Sequence, residues 1–212
     1  MVRVIAAESV PDAGAYCARL VRLDPAALVR LRPAGGGLVA LWSRLPFAVL
    51  VGRSVRSELA DDATVRAADL LAALPDGALP ARYDARWRGA LPPAAAEPVE
   101  QVPAPELRRI AELAATTLRD STGRGVGERR VRDALLDHPG ITLASGTVRA
   151  GVPMRVVLAL VRMGFLADEP VRFGISGRWL SAQARNGTAW YQRPGGLTLD
   201  PVNHGEITRS DG

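Results

Sequence analysis

The chain has no lysine: all 27 of its basic residues are arginine. It has one cysteine, two histidines, and aromatic rings at only 5% of positions. Each scarcity excludes something. A single thiol, Cys17, rules out an internal disulfide framework. Its place in an apolar helical pattern reads as a buried small hydrophobe. His138 and His204 form no cluster with metal-ligand spacing, so neither a metal nor a cofactor is expected. Nucleophilic catalysis needs an activated Ser, Cys or Thr with a base in reach. Cys17 has no sequence-local partner, His138 stands before Pro139 at a helix exit, and Asp61-Asp62 read as helix caps. A binding protein is expected rather than an enzyme.

Long apolar runs are missing as well. Phe47 to Val51 is far too short to span a membrane, and the opening MVRVIAAESVPD lacks the core of a secretory signal. The expected location is the cytoplasm, with nucleoid association if the chain binds DNA. The formal net charge of +5 permits a polyanionic partner without demanding one. Residues 1–100 carry 12 Arg against 11 acids, residues 101–167 carry 10 against 6, and residues 168–212 carry 5 of each. The excess therefore falls in the middle third. Arginine suits such a role, because its rigid donor fork matches phosphate and guanine edges.

Two units are predicted. In residues 1–90, Pro11 and Asp12 open a helix carrying Tyr16, Cys17, Leu20 and Val21 at helical spacing. Asp24-Pro25 reads as a cap and first turn of a second helix reaching Leu31. Leu38–Trp42 and Phe47–Val51 read as strands. Asp62 reads as the cap of another helix, and the alternating 82–88 as a strand with Tyr83, Ala85 and Trp87 inward. Residues 91–104, rich in proline, read as an extended spacer over the surface. The second unit, 105–193, opens with helices at 105–119 and 128–137, separated by the loop glycines Gly123, Gly125 and Gly127. A tail, 194–212, is expected to fray.

The most informative stretch is 131–166. A helix ends at His138-Pro139-Gly140-Ile141-Thr142, with Thr142 as N-cap of a short helix to Ala150. Gly151-Val152-Pro153 reads as a turn, and a third helix runs from Pro153 to Met163-Gly164-Phe165-Leu166. Strands with an Asn186-Gly187 turn follow. This order resembles the winged helix-turn-helix region of bacterial transcription regulators over residues 128–193. The resemblance implies an α+β protein: a small N-terminal α/β unit plus a C-terminal winged helix-turn-helix. It also implies double-stranded DNA as partner, with a role in transcription regulation or nucleoid association. In that fold Met154, Arg155 and Arg162 would lie on the groove side, Arg155 reaching a guanine edge or a phosphate and Arg162 the backbone phosphate, and Thr147, Arg149, Arg129 and Arg130 would meet phosphate. Arg178, Gln183, Arg185 and Trp190 would form the wing contact. The 1–90 unit would serve dimerisation, a protein partner or a small ligand. The alternative is a structural or adaptor protein whose apolar third helix contacts protein instead.

Overall fold

A computed structural model describes residues 4–57, 59–121, 128–145 and 148–194, the side chains of 118, 120, 121, 128–132 and 148 aside. Helix α1 (Val10–Leu23) is followed by a meander of β1 (Leu28–Gly35), β2 (Leu38–Arg44) and β3 (Leu50–Arg56). Strand β4 (Ala63–Arg66) then runs into α2 (Ala67–Ala73). After a long connection come β5 (Glu97–Val102), α3 (Ala104–Ser121) and α4 (Glu128–Asp137). The hairpin β6 (Pro139–Ser145) and β7 (Val148–Pro153) precedes α5 (Met154–Arg162), and β8 (Val171–Ser176), β9 (Trp179–Ala184) and β10 (Gly187–Gln192) follow.

Eight strands form one antiparallel sheet in the order β4-β1-β2-β3-β10-β9-β8-β5. The order hides a repeat. Each half is a helix followed by a three-strand meander (α1 with β1–β3, α5 with β8–β10), flanked by one further strand. The halves meet where β3 pairs with β10 through Leu50↔Trp190, Val51↔Ala189 and Gly52↔Thr188. Alternation sorts the side chains. Val29, Leu31, Val39, Leu41, Val51 and Ala182 are fully buried against the helix layer. Their neighbours Arg30, Arg32, Trp42, Gly52 and Gln183 lie on the other face, as a two-residue period requires.

This architecture corrects the fold expected from sequence. There is no N-terminal α/β unit joined to a winged helix-turn-helix. Of the stretch 142–150, expected as the second helix, residues 142–145 and 148–150 lie in the paired strands β6 and β7. Its apolar residues alternate: Leu143, Ala150 and Val152 are buried, while Thr142, Ala144, Arg149 and Gly151 are exposed. Gly151 sits within a strand and makes no turn. The expected wing is central sheet, with β10 paired on both sides. Its turn is Arg185-Asn186, since Gly187 pairs with Ala184. The pairing moves two residues along one strand, which leaves Leu180, Ala182 and Tyr191 on the buried face as expected.

Two further readings change. Asp24-Pro25 starts no helix; Asp24 Oδ1 accepts from the Ala26 amide at 2.8 Å, and the turn leads into β1. An Asx turn and an N-cap use the same side-chain chemistry. The stretch 82–88 is a short helical turn (Asp84–Arg86), not a strand. It closes the outer edge of β4: the Tyr83 amide donates to Thr64 O at 2.6 Å, and the Thr64 amide donates to Asp84 Oδ1 at 2.6 Å. Arg82 donates to Asp62 O at 2.6 Å. Asp62 caps no helix and pairs with Arg30. At the opposite edge, β5 carries Pro98 at a register break, and the Glu100 carboxylate accepts from the Ala144 amide of the hairpin. Both edges are thus kept from templating a further strand.

Helices α1, α3, α4 and α5 form where the apolar spacing predicts them. The end of α5 shows why Gly164 is there. Phe165 N donates to Leu160 O and Gly164 N to Val161 O, with Gly164 at φ +64. Those two bonds satisfy the last carbonyls of the helix and need a left-handed residue between them.

Candidate functional site

The connection between β4 and β5 must cross the sheet, because those strands lie at opposite edges. It does so over the face away from the helices. Gly89, at φ +96, comes against the Arg44 guanidinium of β2. Leu91, Pro92 and Pro93 then wall a cleft of about 1050 Å³ above the β3–β10 joint. Prolines suit a crossing with no strand to pair with, since they hold an extended course and lack an amide needing a partner.

Four residues of the cleft floor, Trp42, Gly52, Thr188 and Gln183, are cross-strand neighbours in one transverse row. Glycine at 52 sets its shape. A Cβ there would lie 2.6 Å from a carbon of the Trp42 ring, so the indole lies across a position that only glycine leaves open. Trp190, 4% exposed, lines the cleft beside Trp42 and meets Trp179 edge-on with centroids 6.4 Å apart. At the β9–β10 end, Arg53 donates to Asn186 O at 2.7 Å and pairs with Asp12 of α1 at 2.7 Å. Arg32 and Arg185 complete the cationic lining.

Of the candidates drawn from sequence, Gln183, Arg185 and Trp190 line this cleft. The others disperse. Arg155 donates to Phe47 O at 2.9 Å, pairs with Asp137, and lies 5.3 Å from the Tyr191 ring centre, its side chain only 13% exposed. It fastens α5 to the β2–β3 turn. Met154 is buried. Arg162 is exposed on α5 with its guanidinium 5.8 Å from the Phe47 ring centre. Arg178 donates to the Arg193 carbonyl, and Arg149 is exposed on β7. Arg129 and Arg130 belong to α4 with side chains outside the described residues, as Thr147 is altogether. Sequence reasoning missed Trp42, Arg32 and the proline wall. The available signal was the pairing of a lone glycine, Gly52, inside a strand with a tryptophan one strand earlier.

Among the described residues no group of His, Cys, Asp or Glu could hold a metal ion. Burial pushes the Cys17 thiol up to about 12 and, with Cys17 beside it, raises the Tyr16 hydroxyl well above its ordinary value. Tyr16 donates to Val51 O at 3.0 Å, so both groups serve the core. No helix among the described residues is long and apolar enough to cross a membrane.

Solved structures of DNA polymerase sliding clamps are similar to this fold. The DNA polymerase III subunit beta from Pseudomonas aeruginosa superposes with a TM-score of 0.55 at 15% identity, covering 90% of this chain and 64% of its own. The Caulobacter crescentus pol III beta gives 0.57 at 13%, with 90% and 64% covered. The Helicobacter pylori beta clamp bound to DNA ligase peptide gives 0.56 at 13%, with 94% and 67% covered. The chain thus spans somewhat under two thirds of the Pseudomonas subunit. This likeness shows the fold, and it replaces the winged-helix resemblance and the transcription-regulator role drawn from it. The chain belongs to the family described as a domain of unknown function, DUF8185, whose model matches residues 91–196, half of the sequence. A second domain of unknown function, DUF8010, matches residues 1–89. No curated protein matches the chain.

Proposed function

We propose that this chain is a non-enzymatic scaffold that holds another protein, engaging a peptide segment of it in the outer-face cleft. One observation carries the reading: a cleft of about 1050 Å³, floored by Trp42 and Trp190 and walled by the crossing segment, sits where the two halves join. Apolar rings with a few placed polar groups are the usual make-up of a recognition cleft, and tryptophan and arginine dominate the binding energy of many interfaces. A Helicobacter pylori clamp of this fold is described as bound to a DNA ligase peptide, so the fold accommodates such a partner. The helix layer offers a second surface. Arg22, Arg109, Arg119 and Arg162 are exposed there, and nonspecific contact with a nucleic-acid backbone would need little more than such charges.

Selection from a library of short displayed peptides tests the main reading. Enriched peptides are expected to quench tryptophan fluorescence and to lose binding when Ser54→Arg fills the cleft. Peptides that bind Ser54→Arg as well as the parent would refute the cleft as the site. A duplex-DNA titration at two salt concentrations tests the second surface; affinity that is unchanged in Arg22→Glu/Arg162→Glu would remove it.

A further inference from the structure

We infer that the segment held in the cleft is acidic, with an apolar side chain seated on Trp42. This rests on the peptide-binding reading above and adds the chemistry of the partner. Three arginines and one aspartate line the cleft. Asp12 is consumed by Arg53, whose other nitrogen is fixed to Asn186 O. Arg32 is exposed and, among the described residues, makes neither ion pair nor hydrogen bond. Arg185 reaches only Glu169, at 3.8 Å, with both side chains more than half exposed. Two cationic forks therefore border a floor that carries the Trp42 and Trp190 rings: among the described residues Arg32 has no acid to answer it, and Arg185 has only the loose, exposed contact to Glu169. A guanidinium fork offers paired donors that match a carboxylate.

The position restricts how a partner can be held. At the joint Leu50–Gly52 and Thr188–Trp190 are already paired with one another, so strand addition is closed over those residues. Recognition above them comes from side chains. Trp42 supplies a broad apolar surface held in place by Gly52, Leu91 and Pro92 confine one flank, and the exposed Arg32 and Arg185 set the sign of charge. Complementary charge at the margin of an apolar centre selects partners and speeds encounter.

The test uses the full chain and the same random peptide library, with the charge of the enriched pool as the readout. The parent is expected to enrich acidic peptides bearing Leu, Phe or Trp, and their binding is expected to weaken as salt rises. Arg32→Glu/Arg185→Glu is expected to bind those peptides roughly tenfold more weakly, as the loss of two exposed ion pairs would give, and to enrich basic ones instead. Circular dichroism matching the parent confirms that the double variant is folded. A parent pool that is neutral or basic yet still excluded by Ser54→Arg overturns the acidic partner and leaves the scaffold standing. A pool indifferent to Ser54→Arg overturns both. Binding of an oligo-dT strand that depends on Trp42 and both arginines, with no acidic peptides enriched, assigns the cleft to nucleic acid and overturns the proposal.

Discussion

The two halves of the sheet share one order of elements but differ in how they are filled. In the first, α1 leads directly to β1–β3 and α2 closes the flank, so the half is built from near neighbours in sequence. In the second, α3, α4 and the β6–β7 hairpin stand between β5 and α5. The joint between halves rests on only three residue pairs, whereas β2 and β3 within the first half share seven. Side chains supply what the short pairing lacks. Tyr16 of α1 stacks on Phe165 beyond α5, Arg53 ties α1 to the β9–β10 turn, and Arg155 ties α5 to the β2–β3 turn. Each half is thus specified locally, and the union is specified by a few long-range contacts.

Substitutions at the joint are the strongest way to break that contrast. Phe165 is 1% exposed and fills the space that a Cβ on Gly187 would need. Phe165→Ala is expected to cost about 3–5 kcal/mol in urea unfolding. Unfolding should remain a single transition, because the core is continuous across both halves. Two separated transitions in the parent would mean that the halves are independent bodies. Next comes Arg155→Met, which keeps the stem but removes the bond to Phe47 O and the ion pair with Asp137. The expected loss is about 2 kcal/mol, carried mostly by the half-buried carbonyl contact, since Asp137 is 63% exposed. A loss below about 0.5 kcal/mol would show that the turn holds without it.

The same contrast explains what the sequence made legible. α1, α3, α4 and α5 announce themselves through amphipathic spacing, and β2 through its density of strand formers. The β6–β7 hairpin does not, because Gly140, Ala144, Ala150 and Gly151 thin out its alternation and Thr142 doubles as a helix cap. β1 hides behind Asp24-Pro25, which has the chemistry of a helix start. The joint has no local signature at all: Gly52 and Thr188 meet across 136 positions. The candidate site inherits that limit. Gln183, Arg185 and Trp190 were accessible through the hairpin pattern, but the reason they form a site is Trp42, Gly52 and Pro92, which arrive from the other half and from the crossing segment. Arg155, the most attractive groove-facing residue in the sequence, is turned inward by partners that no local pattern reveals.

A pair of glycine substitutions sharpens the comparison at smaller cost. Gly14 lies inside α1, where a Cβ would meet Leu74 at an ordinary 3.5 Å. Gly14→Ala is expected to stabilise by about 0.5–1 kcal/mol, by removing the conformational freedom of glycine from a helix interior. Gly164 ends α5 at φ +64 with Arg19 packed against it. Gly164→Ala is expected to destabilise by about 1 kcal/mol, since alanine strains at that angle. Thermal midpoints should therefore move in opposite directions; movement in the same direction would show that one of the two helix assignments is wrong.

The smallest effect belongs to the closed edge of the first half. Partial desolvation pushes the Asp84 carboxyl up, but the Thr64 amide and the Arg82 guanidinium outweigh it and hold the group below its ordinary value. A carboxyl depressed in the folded state stabilises the fold above the unfolded pKa, near 3.9, and that contribution fades as pH falls through the folded value. Asp84→Asn keeps an oxygen for the Thr64 amide and removes only the charge. The stability difference between parent and variant is expected to stay level from neutral pH to about pH 5 and to close below about pH 4. Asp84 is largely exposed, so the difference will be modest and will shrink with added salt. A difference that persists unchanged at the acid end would show that the charge plays no part in holding the 82–86 turn against β4.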